Sequence, residues 1–294
     1  MSHDHVIALH GGAGVNPERD YAKVETHLSE LVDRCEQMLA GGETALDTVE
    51  FAVAEMEDSG LYVAGRGSAP NDQGVVECDA AIMDGARLRA GGICAAVDVA
   101  QPIRAAREVL ENTPYVLLAG DGANAFARER GLEMVSDPVS HFVLPVGVEA
   151  EELLKLDDGL AHGTVGAVAL DRNGQLASAT STGGLLGKRA GRVGDTPITG
   201  IGNWADEEVA VSCTGIGEAF IYAGGARDLA SRMAYAGQSL EDAGASLLAE
   251  VARHRGDGGL IAVHRTGEVI MPFNSAGMKR AVAGSRITRA VAIL

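Results

Sequence analysis

The chain has 294 residues, 46% of them hydrophobic, enough to bury a sizeable core in one large domain or two small ones. Aromatic residues make up only 4% while glycine occurs 39 times, so cores of small side chains and many tight backbone turns are expected. The net charge of −17 is spread rather than blocked; it repels phosphate backbones, speaks against a nucleic-acid partner and suits a soluble acidic protein of the cytoplasm.

The opening "MSHDHVIALHGG" holds a short apolar run before Gly11, too short for a signal peptide or a membrane span. His3, Asp4 and His5 have metal-ligand chemistry, although such a cluster at a terminus is more often simply solvated. "HVIAL" (5–9) reads as a buried strand entering "HGGAG" (10–14), a flexible loop whose backbone can pass close to a ligand or another segment. Tyr21, Val24, Leu28, Leu31, Val32, Cys35 and Leu39 fall on one helical face, ended by Gly41 and Gly42. A second helix runs from about Thr44 to Met56. "SGLYVAGRGSAPNDQG" (59–74) is a long loop, and "VVECDAAIMDG" (75–85) and "GGICAAVDV" (91–99) read as adjacent strands. Pro102 opens a helix to about Asn112, and "YVLLAG" (115–120) is a strand followed by a short helix.

Residues 136–163 sustain no period and read as an exposed, flexible linker. The β signal then returns as a hairpin, "TVGAVALD" (164–171) and "QLASATSTGG" (175–184) around the turn "RNG". "EVAVSCTG" (208–215) is a further strand, helices cover 217–236 and 239–254, "GGLIAVHRTGEVIM" (258–271) is a second hairpin, and "TRAVAIL" (288–294) is a last strand. Strands and helices come in groups, and the strands are nearly continuous in apolar or small residues, as when both sheet faces are covered. An α+β fold fits, with two packed sheets and helices outside as a four-layer αββα sandwich, though periodicity alone does not single it out. Cys35, Cys78, Cys94 and Cys213 form no CxxC pair, so neither a disulfide framework nor a zinc site is visible.

No GxSxG elbow supplies an activated serine. The Gly163–Thr164 junction offers another route. If that bond is cut, Thr164 gains an α-amine of pKa about 7.7–8.0, so nucleophile and base sit on one residue. Gly163 tolerates strained backbone and carries no side chain to keep the Thr164 hydroxyl from the preceding carbonyl. Taken alone, a threonine that starts a strand is usually just a good strand former. "GIGNWA" (200–205) matches a GxGxxA nucleotide-binding pattern but lies between no clear strand and helix, and a lone match is weak.

"HGTVGAVALD", "ATSTGG", "GRVGDTPITGIG" and "VSCTGIGE" stand in this order from 162 to 218. With "ALHGGAG" (8–14) and "DAAIMDG" (79–85), the chain resembles the plant-type isoaspartyl peptidase/L-asparaginase family over nearly its whole length. The resemblance implies an N-terminal nucleophile hydrolase of the αββα type. It implies a single-domain precursor, 1–294, that cuts itself between Gly163 and Thr164 into an alpha subunit (1–163, ending in the linker) and a beta subunit (164–294). It also implies hydrolysis of β-aspartyl dipeptides and L-asparagine, a dimer of αβ heterodimers, no organic cofactor and no membrane partner.

Matched residue by residue, Thr164 is the nucleophile and Thr182 the threonine that hydrogen-bonds it. Arg192 and Asp195 are the clamp, a guanidinium for the substrate's α-carboxylate and a carboxylate for its α-ammonium. Thr214 and Gly215 match the oxyanion hole, and Gly217 matches a backbone contact to the α-amino group. "MEDSGLYVAGRG" (56–67) aligns with a loop that holds a structural sodium ion, implying the carbonyls of Met56, Glu57, Ser59, Tyr62, Ala64 and Arg66 as ligands. Many members carry "FNAG" where this chain has Tyr62-Val63-Ala64-Gly65, so Val63 removes an amide near the active site. Substrate preference and self-cleavage rate are the properties this puts in question. Three other readings compete: an N4-(β-N-acetylglucosaminyl)-asparaginase of the same fold, which usually has "STNG" at residues 181–184; a nucleotide-binding protein; and a scaffold that never matures.

Overall fold

Eight strands form the larger sheet of the computed structural model, which describes residues 4–148 and 163–294. Their order is β12 (Ile287–Ala292), β11 (Met278–Gly284), β1 (Val6–Ala13), β5 (Val165–Leu170), β6 (Leu176–Thr182), β2 (Cys78–Asp84), β3 (Arg89–Ala96) and β4 (Leu117–Ala119). Only the edge pair β3–β4 is parallel. The smaller sheet runs β10 (Val269–Ile270), β9 (Gly258–His264), β8 (Val209–Gly215), β7 (Asn203–Ala205).

Strand alternation builds the layers. In β5, Val165, Ala167 and Ala169 pack toward α1 (Ala22–Gly41), α2 (Ala45–Ser59) and α3 (Pro102–Asn112), while Val168 and Leu170 pack toward the second sheet. In β8, Val211 and Cys213 face α6 (Gly217–Ala223), α7 (Gly225–Ala236) and α8 (Leu240–Arg253), while Ala210 faces the first sheet. Helices, sheet, sheet and helices thus form the expected αββα sandwich. Both faces of each central strand are dry, which is why its sequence reads as an unbroken apolar run.

The helix ends follow local chemistry. Thr44 caps α2, its hydroxyl accepting the Asp47 N–H at 3.1 Å, and Ser239 caps α8 through Asp242 in the same way. The single helix expected over 217–236 is two, because Gly224 and Gly225 adopt positive φ and a Cβ on Gly225 would stand 2.3 Å from the Ile201 carbonyl oxygen.

The structure adds to three of these readings. β11 has no counterpart in the sequence reading, yet it is the direct neighbour of β1, with Ala8 opposite Val282. Lys279 and Arg280 interrupt its apolar pattern; Lys279 is buried with its ammonium 5.4 Å from the Tyr21 ring centre. Residues 136–148, expected as part of an exposed linker, make defined contacts. They form α5 (Pro138–His141) and dock on the 60–67 loop, with the Val143 N–H donating to the Arg66 carbonyl and Val146 N–H to Leu61. The rest of that segment, 149–162, lies outside the described residues. Lastly, "GIGNWA" leads into β7, which pairs antiparallel with β8 and opens no phosphate-binding strand–turn–helix, in line with the sequence reading.

The four cysteines are free and buried, and burial pushes the thiols of Cys35 and Cys78 up to about 12. His5 lies 2.8 Å from Glu36, while His3 of the same cluster lies outside the described residues; among the described residues no helix is long and apolar enough to cross a membrane.

Candidate active site

Thr164 stands immediately before β5, and its backbone is held from the neighbouring strand. His10 of β1 lies opposite Gly166 of β5, with Nδ1 3.0 Å from the Thr164 carbonyl oxygen and Nε2 2.8 Å from Ser212 Oγ. A carbonyl can only accept, so Nδ1 carries the proton, Nε2 accepts from Ser212, and Ser212 in turn accepts from Thr180 at 2.8 Å. Burial lowers the pKa of His10 to about 3, which keeps the ring neutral and this donor order intact. Gly166 leaves the room: a Cβ there would stand 2.0 Å from Ser212 Oγ and 2.3 Å from His10 Nε2.

Gly163 and Thr164 are buried between two walls. On one side a Cβ on Gly12 would stand 2.5 Å from Gly163 Cα; on the other a Cβ on Gly163 would stand 2.9 Å from Val63 Cγ2. Of the two reasons for glycine at 163, backbone tolerance and room, the structure displays the room. Space requires glycine here.

Thr182 ends β6 beside this junction. Its hydroxyl donates to the Val63 carbonyl at 3.4 Å and accepts the Gly184 N–H at 3.0 Å, so in this uncut chain it is tied to the Val63 loop rather than to Thr164. The Gly183 N–H joins at the same Val63 carbonyl, 2.9 Å away.

The clamp residues flank Gly217. A Cβ on Gly217 would stand 2.8 Å from Asp195 Oδ1 and 3.1 Å from Arg192 Nη2, so glycine is what lets the two groups converge. Asp195 is buried, and its Oδ2 has no hydrogen-bond partner. Burial pushes its carboxyl up to about 7 against the pull of its own backbone N–H and of Arg192. An orphaned buried carboxylate oxygen is costly until a donor reaches it. Arg192 pairs not with Asp195 but with Glu218, through Nε at 2.9 Å and Nη2 at 2.7 Å. This two-pronged contact holds the guanidinium plane in place at the pocket rim, and the same contact holds the half-exposed Glu218 carboxyl below its usual range.

Gly215 closes β8 at φ 149°, and a Cβ there would stand 2.3 Å from the Asp257 carbonyl oxygen. The Thr214 hydroxyl accepts the Ala13 N–H at 3.2 Å, which leaves its own proton to be given elsewhere. Thr164, Thr182, Arg192, Asp195, Gly215 and Gly217 line one small pocket, and Thr214 precedes Gly215 at the end of β8.

A family model described as Asparaginase matches residues 3–293. The chain belongs to this family. An isoaspartyl peptidase of Salmonella typhimurium is 43% identical over 94% of both chains. The isoaspartyl peptidase of Escherichia coli is 42% identical, over 94% of this chain and 92% of its own. A probable isoaspartyl peptidase/L-asparaginase of Arabidopsis thaliana is 38% identical, over 94% and 95%. The αββα sandwich of this asparaginase-family chain is that of the N-terminal nucleophile hydrolases.

Two residues that hold the candidate site from behind escaped the sequence reading. His10 lay inside a quoted motif, but its task depends on which strand β1 pairs with. Glu77 is another. Its carboxylate accepts the Gly191 N–H at 2.9 Å and Asn71 Nδ2 at 3.1 Å, and its carbonyl accepts Lys188 Nζ at 2.9 Å, so the loop before Arg192 is fastened to residues from the other side of the Gly163–Thr164 junction. No local signal marks either residue, since each acts across more than 100 positions of sequence.

The 56–67 loop has the donor chemistry of a hard-cation site. A Cβ on Gly67 would stand 2.0 Å from the Tyr62 carbonyl oxygen and 3.1 Å from that of Gly60, and one on Gly65 would stand 2.8 Å from that of Glu57, so glycines leave a cradle lined by oxygens. The carbonyls of Met56, Ala64 and Arg66 each accept one hydrogen bond, from Ser59 Oγ, Gly67 N–H and Val143 N–H, and each keeps a second lone pair.

Proposed function

We propose that this chain is a self-processing amidohydrolase that hydrolyses β-aspartyl dipeptides and L-asparagine, releasing L-aspartate. The observation that carries this reading is the convergence of Thr164, Arg192, Asp195 and Gly215 on one pocket. The names of its 37–43% identical relatives support it.

In the precursor, Thr164 Oγ1 bonds to the Gly163 carbonyl carbon as the Gly163–Thr164 C–N bond breaks, and the hydroxyl proton ends on the released nitrogen. Water then hydrolyses the ester, giving a Gly163 carboxylate and a free Thr164 α-amine. In turnover the α-amine takes the Thr164 hydroxyl proton, Oγ1 attacks the β-carbonyl, and the proton passes to the leaving amine or ammonia. Water deprotonated by the same amine releases L-aspartate and restores the hydroxyl. The Thr214 hydroxyl and Gly215 N–H stabilise the oxyanion. Arg192 receives the α-carboxylate, and Asp195 and the Gly217 backbone receive the α-ammonium. Thr182 turns from the Val63 carbonyl to the Thr164 hydroxyl once the cut is made. A sodium ion in the 56–67 loop would be held by the carbonyls of Met56, Glu57, Ser59, Tyr62, Ala64 and Arg66 and would brace that loop without entering the chemistry. The working form is a cytoplasmic dimer of αβ units acting on small molecules.

Electrophoresis with N-terminal sequencing tests the reading. Two fragments are expected, the second beginning TVGAV, and Thr164→Ala is expected to be uncut and inactive. A chain that stays whole for days at neutral pH yet turns over a β-aspartyl dipeptide would sink it.

A further inference from the structure

We propose that Val63 and Gly12 form a slot that admits only an unbranched carbon beside the carbonyl Thr164 attacks, and that this one slot selects both Gly163 in the precursor and the β-linkage in the substrate. The proposal rests on the acyl-transfer reading above and adds what sets its substrate class.

The slot is narrow on both sides. A Cβ on Gly163 would stand 2.9 Å from Val63 Cγ2 and 3.3 Å from Val63 Cβ. Val63 cannot step aside cheaply. It is buried, its branch at Cβ restricts the methyls to few rotamers, and its carbonyl is tied to Gly183 and Thr182. The opposite wall is backbone: Gly12, at φ +102°, approaches so closely that its own Cβ would stand 2.5 Å from Gly163 Cα and 2.9 Å from the carbonyl carbon. Steric fit on both sides is what excludes other residues from this position.

Gly163 is the acyl side of the bond. The carbon attached to its scissile carbonyl is a CH2 group. A β-aspartyl amide also presents a CH2 beside its scissile carbonyl, the aspartyl β-carbon, with the branched α-carbon one bond further out toward Arg192 and Asp195. An ordinary α-linked aspartyl peptide places the branched carbon directly at the carbonyl. Charge cannot separate these two isomers well, because both carry one free ammonium and one free carboxylate. The slot can. A glycyl peptide passes the slot but has no carboxylate for Arg192, so clamp and slot together define the substrate.

The test has two arms on the full chain. In the first, Gly163→Ala is expected to slow self-cleavage about 10- to 100-fold, and Val63→Ala in the same chain to recover at least about tenfold of it. In the second, mature enzyme is given a β-aspartyl dipeptide, L-asparagine and 3-methyl-L-asparagine, which carries a methyl beside the scissile carbonyl. The preference for L-asparagine over its 3-methyl analogue is expected to be about 10- to 100-fold and to shrink about tenfold in Val63→Ala. Gly163→Ala cleaving as fast as the parent, no recovery by Val63→Ala, or equal hydrolysis of the methylated and plain substrates would each overturn the slot. Absence of hydrolysis of every β-aspartyl compound would instead overturn the function reading, and the self-cleavage arm would still decide the slot.

Discussion

The imidazole of His10 holds the carbonyl of Thr164 at 3.0 Å, so a residue near the start of the chain fixes the backbone of the proposed nucleophile 154 positions later. The ring reaches it because β1 and β5 are neighbours in register and because Gly166 leaves the space. Ser212 and Thr180 complete the line, tying both sheets to the same point.

This bond should matter for both cutting and turnover. His10→Ala leaves the Thr164 carbonyl and the Ser212 hydroxyl buried with a partner lost, which is expected to slow self-cleavage and lower kcat about 10- to 100-fold. His10→Asn keeps an amide donor near the position of Nδ1 and is expected to recover part of both. Cleavage time courses on gels and kcat on a β-aspartyl dipeptide provide the check.

Asp195 should impose a pH dependence on binding. With its carboxyl pushed up to about 7, it is mostly neutral at pH 6 and mostly ionised at pH 8, and only the ionised form attracts the α-ammonium. KM for L-asparagine is therefore expected to fall about tenfold from pH 6 to pH 8. In Asp195→Asn the trend should vanish. Stability runs the opposite way. The folded pKa lies above the unfolded value, so the contribution of Asp195 is complete below about pH 4 and is lost as pH rises toward 7. Urea titrations should find Asp195→Asn more stabilising at pH 8 than at pH 4.

Gly217 should be intolerant of a single methyl group. Its Cβ would stand 2.8 Å from Asp195 Oδ1 and 3.1 Å from Arg192 Nη2. Gly217→Ala is expected to raise KM at least about tenfold while self-cleavage continues, because the crowding falls on the clamp and not on the Gly163–Thr164 junction. Steady-state kinetics beside a cleavage gel separate the two effects.

Thr214 is expected to act on rate rather than binding. Its hydroxyl accepts the Ala13 N–H and keeps its proton for the developing oxyanion. Thr214→Val should lower kcat about 10²- to 10³-fold with KM changed much less. A proportionate rise in KM instead would place the hydroxyl in ground-state binding.

Much of this site was legible because its residues sit in short, ordered motifs. Thr164, Thr182, Arg192, Asp195, Gly215 and Gly217 were each named from "HGTVG", "STGG", "GRVGD" and "CTGIG", and all six line one pocket. The reasons for the glycines were less legible. Gly163 was read as leaving room for the Thr164 hydroxyl, but the two walls that crowd it, Gly12 and Val63, were not seen. Arg192 was read only as a contact for the substrate's α-carboxylate, and its own anchor, Glu218, was not seen. β11 was hidden because Lys279 and Arg280 break the apolar pattern of a strand whose neighbours, not its own composition, cover it.

The sequence by itself carried the family resemblance, and through it the layered α+β fold and the candidate reactive groups, because these rest on short motifs in a fixed order rather than on periodicity alone. Only the tertiary structure decided how those groups are held. His10 on Thr164, Glu77 on Gly191, and Val63 and Gly12 around Gly163 are contacts between segments 100 residues or more apart. Their existence depends on strand order, register and backbone separations of a few tenths of an ångström, quantities that emerge when two sheets pack and that no stretch of sequence carries alone.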